Sequence, residues 1–91
     1  MNVSIIAGGA GFVGCNLLPL LAKEDRYLVV LDNLCRGRED YIDAARATAP
    51  GRVKFINVDL SDRAATIQAF DASLKIGTVD EVWHLEPSVN R

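Results

Sequence analysis

The feature that most constrains this chain is a glycine-rich turn set between an apolar run and a helical pattern. Val3-Ser4-Ile5-Ile6-Ala7 is short, apolar and bounded by Gly8-Gly9-Ala10-Gly11-Phe12-Val13-Gly14. Such a run fits a strand buried in a parallel sheet better than an amphipathic edge. From 12 to 23 the residues Phe12, Val13, Leu17, Leu20 and Leu21 recur at helical spacing, which predicts a helix with one face toward that sheet. Pro19 removes one hydrogen bond inside it and predicts a kink or an early frayed end. Glycine has three distinct uses at such a junction. The first permits a tight turn, the second lets backbone amides come close to a ligand, and the third lets helix and strand pack closely. Glycines stand here at 8, 11 and 14, one residue longer in the first gap than the commonest arrangement.

The rest of the chain repeats the alternation. Residues 27–31 read as a second buried strand, followed by the turn-forming Asp32-Asn33. A charged loop from Arg36 to Asp40 leads to a helix over 41–48, which Pro50-Gly51 stops. A third strand is expected over 53–58. A third helix follows, with Ser61 as N-cap, Asp62 in the first turn, and Ala64, Ile67 and Phe70 on its buried face. A fourth strand is expected over 79–85. Strand and helix in strict alternation imply parallel pairing through right-handed crossovers. The expected fold is therefore α/β: a Rossmann-like parallel sheet of four strands in order 3-2-1-4 with three helices. Ninety-one residues without a repeat or linker make one unit, an N-terminal half-domain over 1–91 that buries only about two thirds of its unfolded surface.

Position gives the glycine turn its meaning. A helix N-terminus with free N–H groups and a partial positive charge, placed after a tight glycine turn, suits a pyrophosphate. Taken alone, the turn could equally be a strand-to-helix connection without a ligand. Asp32 adds a second feature in register: it ends the second strand 18 residues beyond Gly14. That is close to the spacing at which a carboxylate accepts hydrogen bonds from the adenosine ribose hydroxyls. The two features together point to a dinucleotide, and the carboxylate favours NAD over NADP by repelling a 2′-phosphate. Arg36 and Arg38 could pair with such a phosphate, but read more simply as solvated loop charges. An ATPase phosphate loop is excluded, since Cys15-Asn16 stand where Lys followed by Ser or Thr is required.

Composition removes other classes. A net charge of −2 leaves no basic face for nucleic acid. Neither a signal peptide nor a membrane span is read from the first residues, so a cytoplasmic location is expected. Two cysteines, Cys15 and Cys35, are too few for a disulfide framework, and neither stands at metal-ligand spacing with the single histidine, His84. No metal site is expected. Asn2-Val3-Ser4 matches a glycosylation acceptor only by chance, inside a strand.

With Gly-Gly-Ala-Gly-Phe-Val-Gly, Val-Leu-Asp-Asn-Leu, Val-Asp-Leu-Ser-Asp and Val-Trp-His-Leu in order, the chain resembles the extended short-chain dehydrogenase/reductase family of NAD-dependent nucleotide-sugar epimerases and dehydratases. The resemblance covers nearly the whole chain. Gly-Cys-Asn-Leu at 14–17 and Asp-Asn-Leu-Cys-Arg at 32–36 look most like its CDP-paratose 2-epimerase branch. The resemblance implies that Gly8, Gly11, Phe12, Val13 and Gly14 line the pyrophosphate, with Asp32 and Asn33 at the adenosine ribose. It further implies Asp59 and Leu60 beside the adenine and Leu85 at the strand end next to the cofactor. On their own residues, Asp59 and Leu60 would be only a strand-end turn. His84 is in the same family a structural residue.

Two departures matter. The family continues His-Leu-Ala-Ala, where small side chains let the strand pass close to the cofactor; this chain reads His84-Leu85-Glu86-Pro87-Ser88. The family's catalysis uses a Tyr-x-x-x-Lys pair, with Tyr as acid/base. Here Tyr27 is followed four places on by Leu31 and Tyr41 by Ala45. The expected role is thus the NAD-binding portion of a nucleotide-sugar epimerase or dehydratase, inactive alone, whether truncated or split. A stand-alone dinucleotide-binding module and a decayed fragment with no ligand are the alternatives. A fourth strand without a further neighbour predicts a homodimer, strand exchange included, or a complementing C-terminal chain.

Overall fold

A computed structural model describes residues 1–8, 12–33 and 39–85. The elements are β1 (Asn2–Ala7), α1 (Phe12–Ala22), β2 (Tyr27–Asp32), a 3-10 turn (Glu39–Ile42) running into α2 (Asp43–Thr48), β3 (Val53–Asn57), α3 (Arg63–Leu74) and β4 (Thr78–His84). All strand pairs are parallel and the order is β3-β2-β1-β4, as the alternation predicts. Charged segments 34–38 and 86–91, and with them Arg36, Arg38 and Glu86, lie outside the described residues, as do Gly9 and Gly11.

The two central strands are apolar throughout because both their faces are covered. Side chains alternate: Ile6, Leu28 and Val30 meet Leu18, Leu21, Ala22, Ile42 and Ala45 on the face of α1 and α2. Val3, Ile5, Val29 and Leu31 meet Val58 and Ala69 of the α3 side. Burying a Leu, Ile or Val contributes about 1.5–3 kcal/mol each, so the β1–β2 pair anchors both layers.

The two long helices are rotated from the expected faces. In α1 it is Leu18, Leu21 and Ala22 that are buried, while Leu20 stands 59% exposed. A helix apolar on nearly every side has no unique stripe of its own, so contact with the sheet and α2 selects the face. Pro19 does not end it early: α1 runs to Ala22 and closes through Lys23 N–H to Leu20 O (3.3 Å) and Glu24 N–H to Leu21 O (3.0 Å), the three-residue bonds typical of a tightened last turn. In α3, Ala69 and Ser73 are buried with Ala65 and Phe70 partly so, while Ala64 and Ile67 are exposed. Small residues at 65, 69 and 73 let the helix lie close on the sheet, which turns the bulkier Ile67 outward. The Ser73 hydroxyl is satisfied by donating to Ala69 O at 2.9 Å.

One glycine outside the cofactor turn is required by close approach. Thr78 N–H donates to Met1 O (3.1 Å) as β4 begins. The Met1 carbonyl therefore lies against Gly77, where any Cβ would collide with that oxygen.

Candidate cofactor site

All four strands point the same way, so their carboxyl ends form one crest, and the ladder extends one residue past β1, β3 and β4. Gly8 N–H donates to Leu31 O at 2.7 Å, Leu85 N–H to Ala7 O at 2.8 Å, and Val58 N–H to Asp32 O at 3.1 Å. Across the crest the order is therefore Val58, Asp32, Gly8, Leu85. Gly8 has φ +80°, a left-handed conformation that a side chain would make costly by roughly 1–2 kcal/mol. Gly8 thus ends β1, and α1 begins at Phe12.

Alternation decides what faces that turn. With Leu28 and Val30 on the α1 face, the side chain of Asp32 falls on the same face, and the residue is buried at 5% exposure. Leu85 packs against the same cluster, together with Leu17 of α1. Asp32 and Leu85 therefore stand on either side of Gly8. Gly14 is buried within α1. Phe12 and Val13 supply the backbone of the first turn of α1. Asn33 follows Asp32 as an exposed residue.

Asp59 and Leu60 extend the crest on the β3 side. Asp59 Oδ1 accepts from the Ser61 backbone N–H (2.9 Å) and from the Ser61 hydroxyl (2.7 Å), an Asx-type turn. Leu60 is partly buried against the α3-side core. This turn assigns the cap differently from the residue pattern: Ser61 serves Asp59, and Asp62 is the N-cap of α3, its carboxylate accepting from Ala65 N–H at 3.1 Å. The Asp-x-Ser spacing carried the signal for the turn, but Ser61 alone reads equally well as a cap. His84 lies exposed at the end of β4. Among the described residues, no group of three His, Cys, Asp or Glu side chains could hold a metal ion, and no helix is long and apolar enough to cross a membrane.

A parallel sheet whose crest joins a left-handed glycine turn, a helix start and a buried strand-end carboxylate defines a Rossmann-type cofactor fold. Known proteins narrow this class. Residues 4–91 match the model of the NAD dependent epimerase/dehydratase family, and the chain belongs to that family. It is 34% identical over 82 residues to UDP-arabinose 4-epimerase 1 of Arabidopsis thaliana, covering 82% of this chain and 20% of the relative. The UDP-Glc/GlcNAc 4-epimerase of Campylobacter jejuni superimposes with TM-score 0.73 at 32% identity, covering 99% of this chain and 26% of the other. The UDP-glucose 4-epimerase of Thermus thermophilus, solved in complex with NAD, gives 0.72 at 30% identity, with coverages of 94% and 24%. The chain thus spans between a fifth and about a quarter of these relatives, corresponding to their N-terminal part. These relatives are UDP-sugar 4-epimerases.

The Asp59 turn is sensitive to pH. The Ser61 hydroxyl, and after it the Ser61 N–H, hold the Asp59 carboxyl below its usual range. A lowered folded value means the turn contributes fully above the ordinary aspartate range near about 4 and loses its contribution as pH falls through the folded value. Ser61→Ala is expected to return Asp59 toward the ordinary range in a carboxyl-carbon NMR titration. An unmoved midpoint would show that the turn does not act on Asp59.

Proposed function

We propose that this chain is the NAD-binding part of a nucleotide-sugar epimerase or dehydratase. The observation that carries the reading is the juxtaposition at the crest: Gly8, at φ +80° and bonded to Leu31 O, lies beside a buried Asp32 on the α1 face. In this reading the pyrophosphate lies against the backbone of Gly8, Gly11, Phe12, Val13 and Gly14. Asp32 accepts from the adenosine ribose hydroxyls with Asn33 beside it, Asp59 and Leu60 flank the adenine, and Leu85 borders the cofactor from β4. NAD in this family would take a hydride from a sugar carbon and return it. The family model and the NAD-bound epimerase with a similar fold support the cofactor class. The Asp32 carboxylate favours NAD over NADP by charge repulsion.

Neither tyrosine of these 91 residues has, four places on, the lysine that the acid/base pair of such chemistry uses. Four places after Tyr27 stands Leu31, fully buried in β2, and four after Tyr41 stands Ala45, buried in α2. The chain alone is therefore expected to bind cofactor without turning over a nucleotide sugar. Isothermal calorimetry of the folded chain with NAD should give saturable binding, weakened roughly tenfold or more in Asp32→Ala, since a hydrogen bond to a charged group contributes about 1.5–3 kcal/mol. NADP should bind more weakly than NAD. No binding of either by the folded wild-type chain would overturn the reading.

Assembly follows from the sheet edge. β4 pairs only with β1 among the described strands, and its Val82 and Trp83 are 52% and 37% exposed. An apolar open edge favours a further strand, from a second copy or from a complementing chain. Sedimentation of the purified chain should show a concentration-dependent dimer; a monomer across the whole range would remove the homodimer from the proposal.

A further inference from the structure

Bulges are rare in parallel pairs, yet β4 carries one against β1. Val3 pairs with Val79, but Ser4 pairs with Glu81, leaving Asp80 as the extra residue. A single polar assembly surrounds it. Arg26, at the entrance to β2, donates through Nη1 to Ser4 Oγ (2.7 Å) and to Asp80 Oδ1 (2.9 Å), with Nη2 to Asp80 Oδ2 at 3.5 Å. The same Nη1 lies 3.4 Å from Glu81 Oε1, and Nε donates to Glu24 Oε1 at 3.1 Å. Ser4, fully buried in β1, donates its hydroxyl proton to Glu81 Oε1 at 2.6 Å, which also accepts from Trp83 Nε1 at 3.0 Å. Arg26 is itself fixed, because Arg52 Nη1 donates to its carbonyl at 2.7 Å.

The bulge decides which residues reach the crest. Side chains alternate with period two, so removing one extra residue exchanges the faces of everything after it. With the bulge, Glu81, Trp83 and Leu85 share the α1 face with Ser4 and Ile6. Without it, Asp80 would stand opposite buried Ser4, and Leu85 would leave the α1 face to His84. We propose that Arg26 is a positioning residue: with Ser4 it clamps Asp80 and Glu81, keeps the bulge, and so delivers Leu85 to the α1 face beside the glycine turn. The clamp lies about 13 Å from the crest, four residues of strand rise, and acts there only through β4. Its consequence for cofactor affinity rests on the proposed NAD reading; its effect on register does not.

The test separates the two. Amide hydrogen exchange and the Trp83 indole N–H resonance are followed in wild type, Arg26→Ala and Arg26→Lys, with NAD affinity measured on the same samples. In Arg26→Ala the Leu85 amide should lose protection and the Trp83 indole signal should shift, while the Gly8 and Val58 amides stay protected. NAD should bind about tenfold more weakly, with partial recovery in Arg26→Lys. If Arg26→Ala does not fold, Asp80→Asn, which keeps the shape and removes the charge, should give the same pattern in milder form. Wild-type protection at Leu85 and an unshifted indole in a folded variant would overturn the clamp. Absence of NAD binding to wild type would overturn the cofactor reading, and the exchange data would still decide the register.

Discussion

The ladder between β1 and β2 is the contact on which the other features depend. Its last bond, Gly8 N–H to Leu31 O, places three things at once. It ends β1, it sets the point at which the chain turns toward α1, and it puts the turn one residue from Asp32. Both layers of the core are built on the side chains of these two strands. The crest therefore inherits its geometry from the most buried part of the molecule, which is where a binding group is held most tightly.

The outer strands are less constrained and are fixed by polar contacts as well as by packing. β3 pairs with β2 along its whole length and extends the ladder past its end through Val58 N–H to Asp32 O, and the Asp59–Ser61 turn then leads into α3. On the other side, β4 owes its register to the polar assembly around Arg26 in addition to its apolar contacts. The two sides of the crest thus depend on different physics. Burial governs the position of Asp32, while charge-assisted hydrogen bonding helps to hold the strand that carries Leu85, so added salt should weaken the latter more.

Much of this was legible in the residues. Two apolar runs with no polar alternation, 3–7 and 27–31, could only be strands buried on both faces, and the glycine turn could only join such a strand to a helix. Together with the strict alternation of strand and helix along the rest of the chain, they led to the parallel order 3-2-1-4. The helix faces were not legible, because α1 is apolar at Leu17, Leu18, Leu20 and Leu21 alike and only the sheet decides among them. Ser61 misled for a related reason: a serine before an aspartate can cap a helix or serve an Asx turn, and Asp59 settled the choice. The bulge at Asp80 left no mark in the pattern, since Val79 to Leu85 reads as an ordinary strand. The partner that accounts for the bulge, Arg26, is 54 residues away in sequence.

The most direct test of the central claim is a map of where NAD acts. Nitrogen-15 amide spectra of the chain would be followed as NAD is added. Saturable shifts are expected at Gly8, Asp32, Asn33, Leu60 and Leu85, with Gly51 and Lys75 unmoved. Shifts absent from the crest, or centred on another part of the surface, would contradict that claim.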